Sequence, residues 1–260
     1  MCSVKEKGEC HTDALILFPI LRKMKKIIFV AVATLMYCST ASAQLIRSEE
    51  LEEKACEVYG LDKKKPKWEE KAKELIANST VALDKNNSIT WVETIPCGDA
   101  TQSQLYVILN YWFTQTFNDA NSVIKLNDKE LGTIIGQGHV DVAGHTGGSN
   151  EYDLAIKPII KVDIKDKKIR VTYTIQAYAV TKQVGGGIIG KLNGTKGVTS
   201  IETWPLEKTY PFVEKPESGY KAPKASSKGL VMAAAYSEVV MDKIKAAVQE
   251  GIAGNENDAW

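Results

Sequence analysis

The sequence predicts an α+β fold: a curved antiparallel sheet with helices packed on one face, plus an N-terminal helical appendage. Three observations predict it. Residues Leu131–Val180 hold three consecutive stretches of period-two alternation, the pattern of strands with one buried face. The charged turn Lys165-Asp166-Lys167 joins the last two, which makes them antiparallel neighbours. Thr101–Phe117 and Lys228–Ile252 repeat apolar residues at helical spacing, so each carries one stripe to lay on a sheet.

The three strands can be read residue by residue. In Lys168–Val180, Ile169, Val171, Tyr173, Ile175, Ala177 and Ala179 fall on one face, with Arg170, Thr172, Thr174 and Gln176 on the other. In Leu154–Ile164, Leu154, Ile156, Ile160, Val162 and Ile164 oppose Lys157, Lys161 and Asp163. Pro158 lies inside this run and cannot donate to a ladder, which predicts an edge or a bulge there. In Leu131–Ala143, Ile134, Val140 and Val142 oppose Thr133, Gln137, His139 and Asp141. Gly136 and Gly138 fall on the apolar side, where a missing side chain lets something large pack close.

Taken from its start, the chain has a secretory signal. Lys25-Lys26, the apolar run Ile27–Met36 and the small residues Ala41-Ser42-Ala43 give the charged start, the core and the cleavage site, between Ala43 and Gln44. The run is too short for a stable membrane anchor, so no transmembrane anchor is expected after cleavage. Met24 is read as the true start, with residues 1–23 an upstream extension; the alternative is a long signal with an extra apolar patch at Ala14–Leu21. Cys38 follows Tyr37, not the small residue that a lipoprotein site needs. The expected division is 1–43 extension and signal, 44–80 N-terminal helical segment, and 81–260 main α+β domain.

Cleavage leaves 217 residues with 27 basic and 29 acidic side chains, a net charge of −2. This length suffices for one good core. No basic excess points to nucleic acid. Cys56 and Cys97 are the only cysteines left. In an exported chain such a pair has two readings, one disulfide or two unrelated thiols.

Ser48–Tyr59 reads as a short acidic helix stopped by Gly60. Pro66 suits the first turn of a second helix ending near Ala77, expected to pack through Trp68. Ile89–Ile95 is the first strand of the main domain. Asp99 and Gln102 suggest a capping box for the Thr101–Phe117 helix, whose stripe includes Leu105, Leu109, Trp112 and Phe113. Ser122–Leu126 is a short strand. Beyond the meander, Gly185–Gly197 reads as a loop or loose hairpin, Thr199–Trp204 as a last strand, and Pro205–Ser227 as a crossing loop. The closing helix faces Leu230, Ala233, Ala234, Met241, Ile244, Val248 and Ile252 inwards.

Candidate chemistry is sparse. Gly185–Leu192 approaches a phosphate-binding loop, but Leu192 stands where the pattern needs Ser or Thr, and Asn193-Gly194 predicts no helix after it. His139 and Asp141 share a strand face, with His145 beyond Gly144, and three mixed ligands can hold zinc. The favoured reading of the same residues is two solvent-facing polar groups and a loop histidine. No serine sits in a nucleophile elbow. The sequons at Asn78, Asn86 and Asn193 read as chance matches.

The order of elements and several segments carry a resemblance. The helix opening before Leu105-Tyr106, the strand Ser122-Val123-Ile124, the segment Lys129–Gly138 and the strand Lys168-Ile169-Arg170-Val171 after its charged turn resemble the exported Bacteroidetes family of unknown function with a TBP-like fold (DUF4468 type). The resemblance covers roughly Ile89–Ile252 and implies the curved sheet with helices on one side. It implies no activity, and no functional residue is carried over.

The sequence thus points to an exported periplasmic, cell-surface or secreted binding module, more non-catalytic than enzymatic, with no cofactor. Its expected site is the polar sheet face, including Gln137, His139, Lys161, Arg170, Thr172 and Gln176. The partner is an unidentified protein or small molecule, and a homo-oligomer stays open. The rival readings are a metal-assisted hydrolase at His139, Asp141 and His145, and a carrier with an apolar cavity between sheet and helices.

Overall fold

The computed structural model describes residues 45–117, 123–146, 148–195 and 197–257. The expected signal segment, with Met24 and Cys38, lies outside the described residues. The described chain is α+β, with α1 Ser48–Val58, α2 Trp68–Ala77, β1 Ile89–Pro96, α3 Gln102–Thr116, β2 Ile124–Asp128, β3 Thr133–Gln137 and β4 Val140–Thr146. There follow β5 Asn150–Ile156, β6 Ile159–Lys165, β7 Lys168–Ile175, β8 Ala177–Val184, α4 Ile188–Leu192, β9 Val198–Pro205 and α5 Pro223–Asn257.

Two antiparallel sheets form, in the orders β1-β7-β6-β3-β2 and β4-β5-β8-β9. They share three stretches of chain. β3 runs into β4, β5 into β6 and β7 into β8, each through a short bend at Gly138-His139, Lys157-Pro158 and Gln176. The three strands expected from the alternation are therefore present, each bent and divided between two sheets. Pro158 sits in a bend, not on an edge, so its missing N–H costs no ladder bond. Its carbonyl accepts from Gly138 N at 2.9 Å.

The bend at Gln176 corrects one assignment. Ile169, Val171, Tyr173 and Ile175 are buried as expected, but Tyr178 and Val180 follow them inwards in place of Ala177 and Ala179. The interruption shifts the alternation by one residue, and a shift of one exchanges the faces. A smaller correction concerns α3. Its N-cap is Thr101, whose hydroxyl accepts from Gln104 N while the Gln104 side chain accepts from Thr101 N. Asp99 pairs instead with Lys167 at 2.8 Å.

The core lies between the sheets and the helices. α5 is 35 residues long and packs on β4, β5, β1 and β7. From Gly229 to Ser237 it is buried without a break, because α1 and α2 cover the side turned away from the sheets. Leu51, Ala55 and Ala72 of those helices are fully buried and join the same hydrophobic core. Trp68, the expected anchor, is only partly buried, with Lys228 Nζ 5.8 Å from its ring centre. Each large apolar side chain buried in this layer contributes on the order of 1.5–3 kcal/mol.

Cys56 and Cys97 are free and both buried, so the disulfide reading does not hold in this structure. They occupy different surroundings. Cys56 lies on α1 near Glu52, Lys63 and Lys228, whereas Cys97 follows β1 and its Sγ–H donates to Ile95 O at 3.3 Å. Burial pushes both thiols up from their ordinary range, with Glu52 adding to the effect at Cys56.

Gly136 shows how the helix layer meets the sheet. Its absent side chain makes room for the Phe113 ring, as the glycine on the apolar side of the strand led us to expect. A Cβ at Gly136 would lie 2.6 Å from Phe113 Cε1. Gly136→Ala is expected to lose about 1–3 kcal/mol by overpacking, read as a lower urea midpoint with an unchanged slope. Combined with Phe113→Leu, the loss should be smaller than the two single losses together, because the clash is shared.

Candidate functional site

Among the described residues the helices pack on one side of the sheets, and no described helix covers the other face of the five-stranded sheet. The register arranges this outer face in rows across the strands. One row reads Thr94, Arg170, Asp163, Thr133 and Asp128. The next reads Val92, Thr172, Lys161, Ile135 and Leu126, and the third Thr90, Thr174, Ile159 and Gln137.

Asp163 is the hub of this surface. Its carboxylate accepts from Arg170 Nη2 at 2.7 Å and Nε at 3.2 Å, from Lys161 Nζ at 2.9 Å, and from Thr133 Oγ1 at 3.2 Å. Its side chain is 19% exposed. Burial pushes the carboxyl up, but the bonds from Lys161 and Arg170, the Lys161 charge and Thr133 together bring it below its ordinary range. A shallow depression of about 180 Å³ lies beside the hub, bounded by Thr94, Asp163, Lys165, Lys168, Ile169 and Arg170.

Of the expected site residues, the structure brings Lys161, Arg170 and Thr172 together here, with Gln137 one row away. His139 and Gln176 do not join them. Both are exposed and stand on the bends. The polar reading also missed an apolar component. Val92 is 58% exposed and Leu126 45%, with Ile135 and Ile159 half-buried between them. The signal was present in the doublets Ile134-Ile135 and Ile159-Ile160, since adjacent strand residues point to opposite faces.

The expected metal set does not converge. His139 Nε2 lies 3.3 Å from Asp141 Oδ1 on the outer face. A register shift between Asp141 and Ala143 then inserts one residue, and a bulge turns every later side chain over. His145 consequently faces the helix side. It borders a hollow of about 430 Å³ with Glu69, Asn150, Tyr152, Lys221 and Lys224. Among the described residues, no group of three His, Cys, Asp or Glu side chains is placed to hold a metal ion.

The glycine-rich segment is not a phosphate cradle. A five-residue helix does start at Ile188, where the sequence predicted none. Its flanking N–H groups are already used: Gly185 N and Gly187 N donate to Ser149 O, and Ile189 N to Gly148 O. Gly190 packs against the Gly185 carbonyl, with no room for a Cβ. The layer where an apolar ligand would sit is occupied by Tyr173, Tyr178, Tyr236 and Leu230, all buried.

Two carboxylates should give opposite pH responses. Asp153 is held above its ordinary range by burial first, then by Glu151 and Asp141. A raised carboxyl contributes stability below its unfolded value of about 3.9, and this is lost as pH rises through the folded value. Asp163 is lowered, so its contribution is present above about 3.9 and lost as pH falls through the folded value. In thermal melts at pH 7, Asp153→Asn should raise the midpoint, and the gain should vanish in acid. Asp163→Asn should cost about 1 kcal/mol at pH 7, and this loss should shrink in acid.

The family described as domain of unknown function (DUF4468) with TBP-like fold matches residues 91–178. No curated protein matches the chain. Among solved structures, a TBP-like protein from Parabacteroides distasonis is 14% identical, with 64% of this chain and 96% of that chain covered and a TM-score of 0.42. A DUF4468 family protein from Bacteroides ovatus is 13% identical, with 65% and 90% covered and a TM-score of 0.43. Over β1 to the start of β8, this chain therefore resembles the DUF4468 family with TBP-like fold.

Proposed function

We propose that this chain is an exported, non-catalytic binding or interaction module that meets a protein partner with the outer face of its five-stranded sheet. The observation that carries this reading is the composition of that face. Exposed Val92 and Leu126 flank a charged hub at Asp163, on the side of the sheet that no described helix covers. A face that combines exposed aliphatic side chains with ordered hydrogen-bonding and charged groups suits protein contacts, where desolvated aliphatic area supplies affinity and the polar groups fix orientation.

Export rests on Lys25-Lys26, Ile27–Met36 and Ala41-Ser42-Ala43, and places the module in the periplasm, at the cell surface or outside the cell. No helix among the described residues is long and apolar enough to cross a membrane. The hydrolase reading loses its support, because the bulge after Asp141 sends His145 to the opposite side from His139.

The test is crosslinking in the native cell envelope with three forms of the protein. Val92→Asp combined with Arg170→Ala alters the face, while Val107→Asp changes a 65% exposed residue on α3. Partners held by the parent and by Val107→Asp should be lost from the double variant, which stays folded at the assay temperature although loss of the Arg170–Asp163 bonds lowers its melting midpoint slightly. Retention of every partner by the double variant overturns the assignment of the face.

A further inference from the structure

The four-stranded sheet ends in β9, and this edge is built unlike a protected one. Among the described residues β9 pairs only with β8, so half of its backbone N–H and C=O groups face outwards. The pairing runs without a shift from Ala177–Pro205 to Val184–Val198. Proteins usually blunt such an edge with lysine, an internal proline, a bulge or a covering element. β9 has no lysine, no bulge and no proline before its last residue. At the opposite edge, β4 carries a bulge and is packed by α5 and α1.

The surroundings of β9 are apolar. Of the twelve large apolar side chains exposed among the described residues, six belong to 184–201: Val184, Ile188, Ile189, Leu192, Val198 and Ile201. Ile201 is 82% exposed, on the β9 face turned away from the helices. A patch of this kind marks a contact surface. An unpaired strand edge decides which kind. Lipid cannot hydrogen-bond backbone groups, and leaving them bare in hydrocarbon costs several kcal/mol each. A second extended strand satisfies them.

We propose that β9 pairs with β9 of a second copy of this chain, antiparallel about a two-fold axis at Ile201, to form one continuous eight-stranded sheet. Charge favours a second copy as occupant. Glu202 is the only charged residue of β9, and it is already engaged by Trp204 Nε1 at 2.9 Å and by Lys182 at 3.7 Å. With the axis at Ile201, Glu202 lies opposite Ser200 of the other copy, Thr199 opposite Thr203, and Ile201 opposite itself. No like charges meet, and the most exposed aliphatic residue of the strand is covered by its own counterpart.

The test combines mass and crosslinking on the purified protein. Sedimentation velocity at tens of micromolar should give the mass of two chains for the parent and of one chain for Ile201→Lys. Folding should be unaffected, because the residue is exposed. Opposed residues in an antiparallel pair have Cα atoms about 4.5–5.5 Å apart, within disulfide reach. Ile201→Cys should therefore form an interchain disulfide on mild oxidation that is absent from the parent, while Thr181→Cys, one strand inwards, should form none. A parent that stays single at these concentrations overturns the proposal. So does a dimer that survives Ile201→Lys. Co-sedimentation of single chains with phosphatidylcholine–phosphatidylglycerol vesicles, lost in Leu192→Asp, would overturn it in favour of a lipid contact.

Discussion

The fold depends on α5 being enclosed. A helix resting on a sheet needs one apolar stripe, with the rest of its surface in water. Here the run Gly229-Leu230-Val231-Met232-Ala233-Ala234-Ala235-Tyr236 has no charged side chain, and its one polar side-chain group is the Tyr236 hydroxyl; the structure buries every one of these residues. The two sheets can cover only one side. α1 and α2 supply the other cover, so the N-terminal helices complete the core around a helix that water would not tolerate alone. Gly229 lets that helix approach closely, facing the Tyr178 ring and Val142, and the Tyr178 hydroxyl donates to Ser226 O at 3.2 Å.

On the far side of the sheets the constraint is the reverse. The rows of the five-stranded sheet must remain compatible with water while carrying Val92, Leu126, Ile135 and Ile159. Asp163 does this by drawing Lys161, Arg170 and Thr133 into one network. The network fixes side chains that would otherwise be mobile, and the surface presented is therefore preorganised. Ordering long side chains before contact reduces the entropy lost on binding.

Much of this was legible in the sequence. Alternation located the strands, helical spacing located α3 and α5, and Gly136 on an apolar face announced the close approach of Phe113. Two misplaced sets of side chains share one physical reason. Period-two reading assumes no inserted residue, and the chain inserts one at the Gln176 bend and another after Asp141. Each insertion exchanges the faces downstream: the first misplaced Ala177 and Ala179, and the second turns His145, expected in a loop beyond Gly144 but found within β4, away from His139 and Asp141. Neither insertion leaves a compositional mark, since bulges are settled by pairing with a neighbour strand. The all-round cover of α5 did leave a mark, in its unbroken apolar run. Whether Cys56 and Cys97 meet depends on distance between elements, which no local pattern encodes.

The contact between the first and last elements also sets an order of events. α1 and α2 pack on α5, which closes the chain. A polypeptide made or threaded from its N-terminus presents α1 and α2 long before their support exists, and short helices of this length are marginal alone. The sheets likewise lack their cover until α5 arrives. The core therefore closes only once α5 is in place. Until α5 is in place, the sheets expose the apolar side that it covers in the folded state, and that exposed surface is what drives the last helix home.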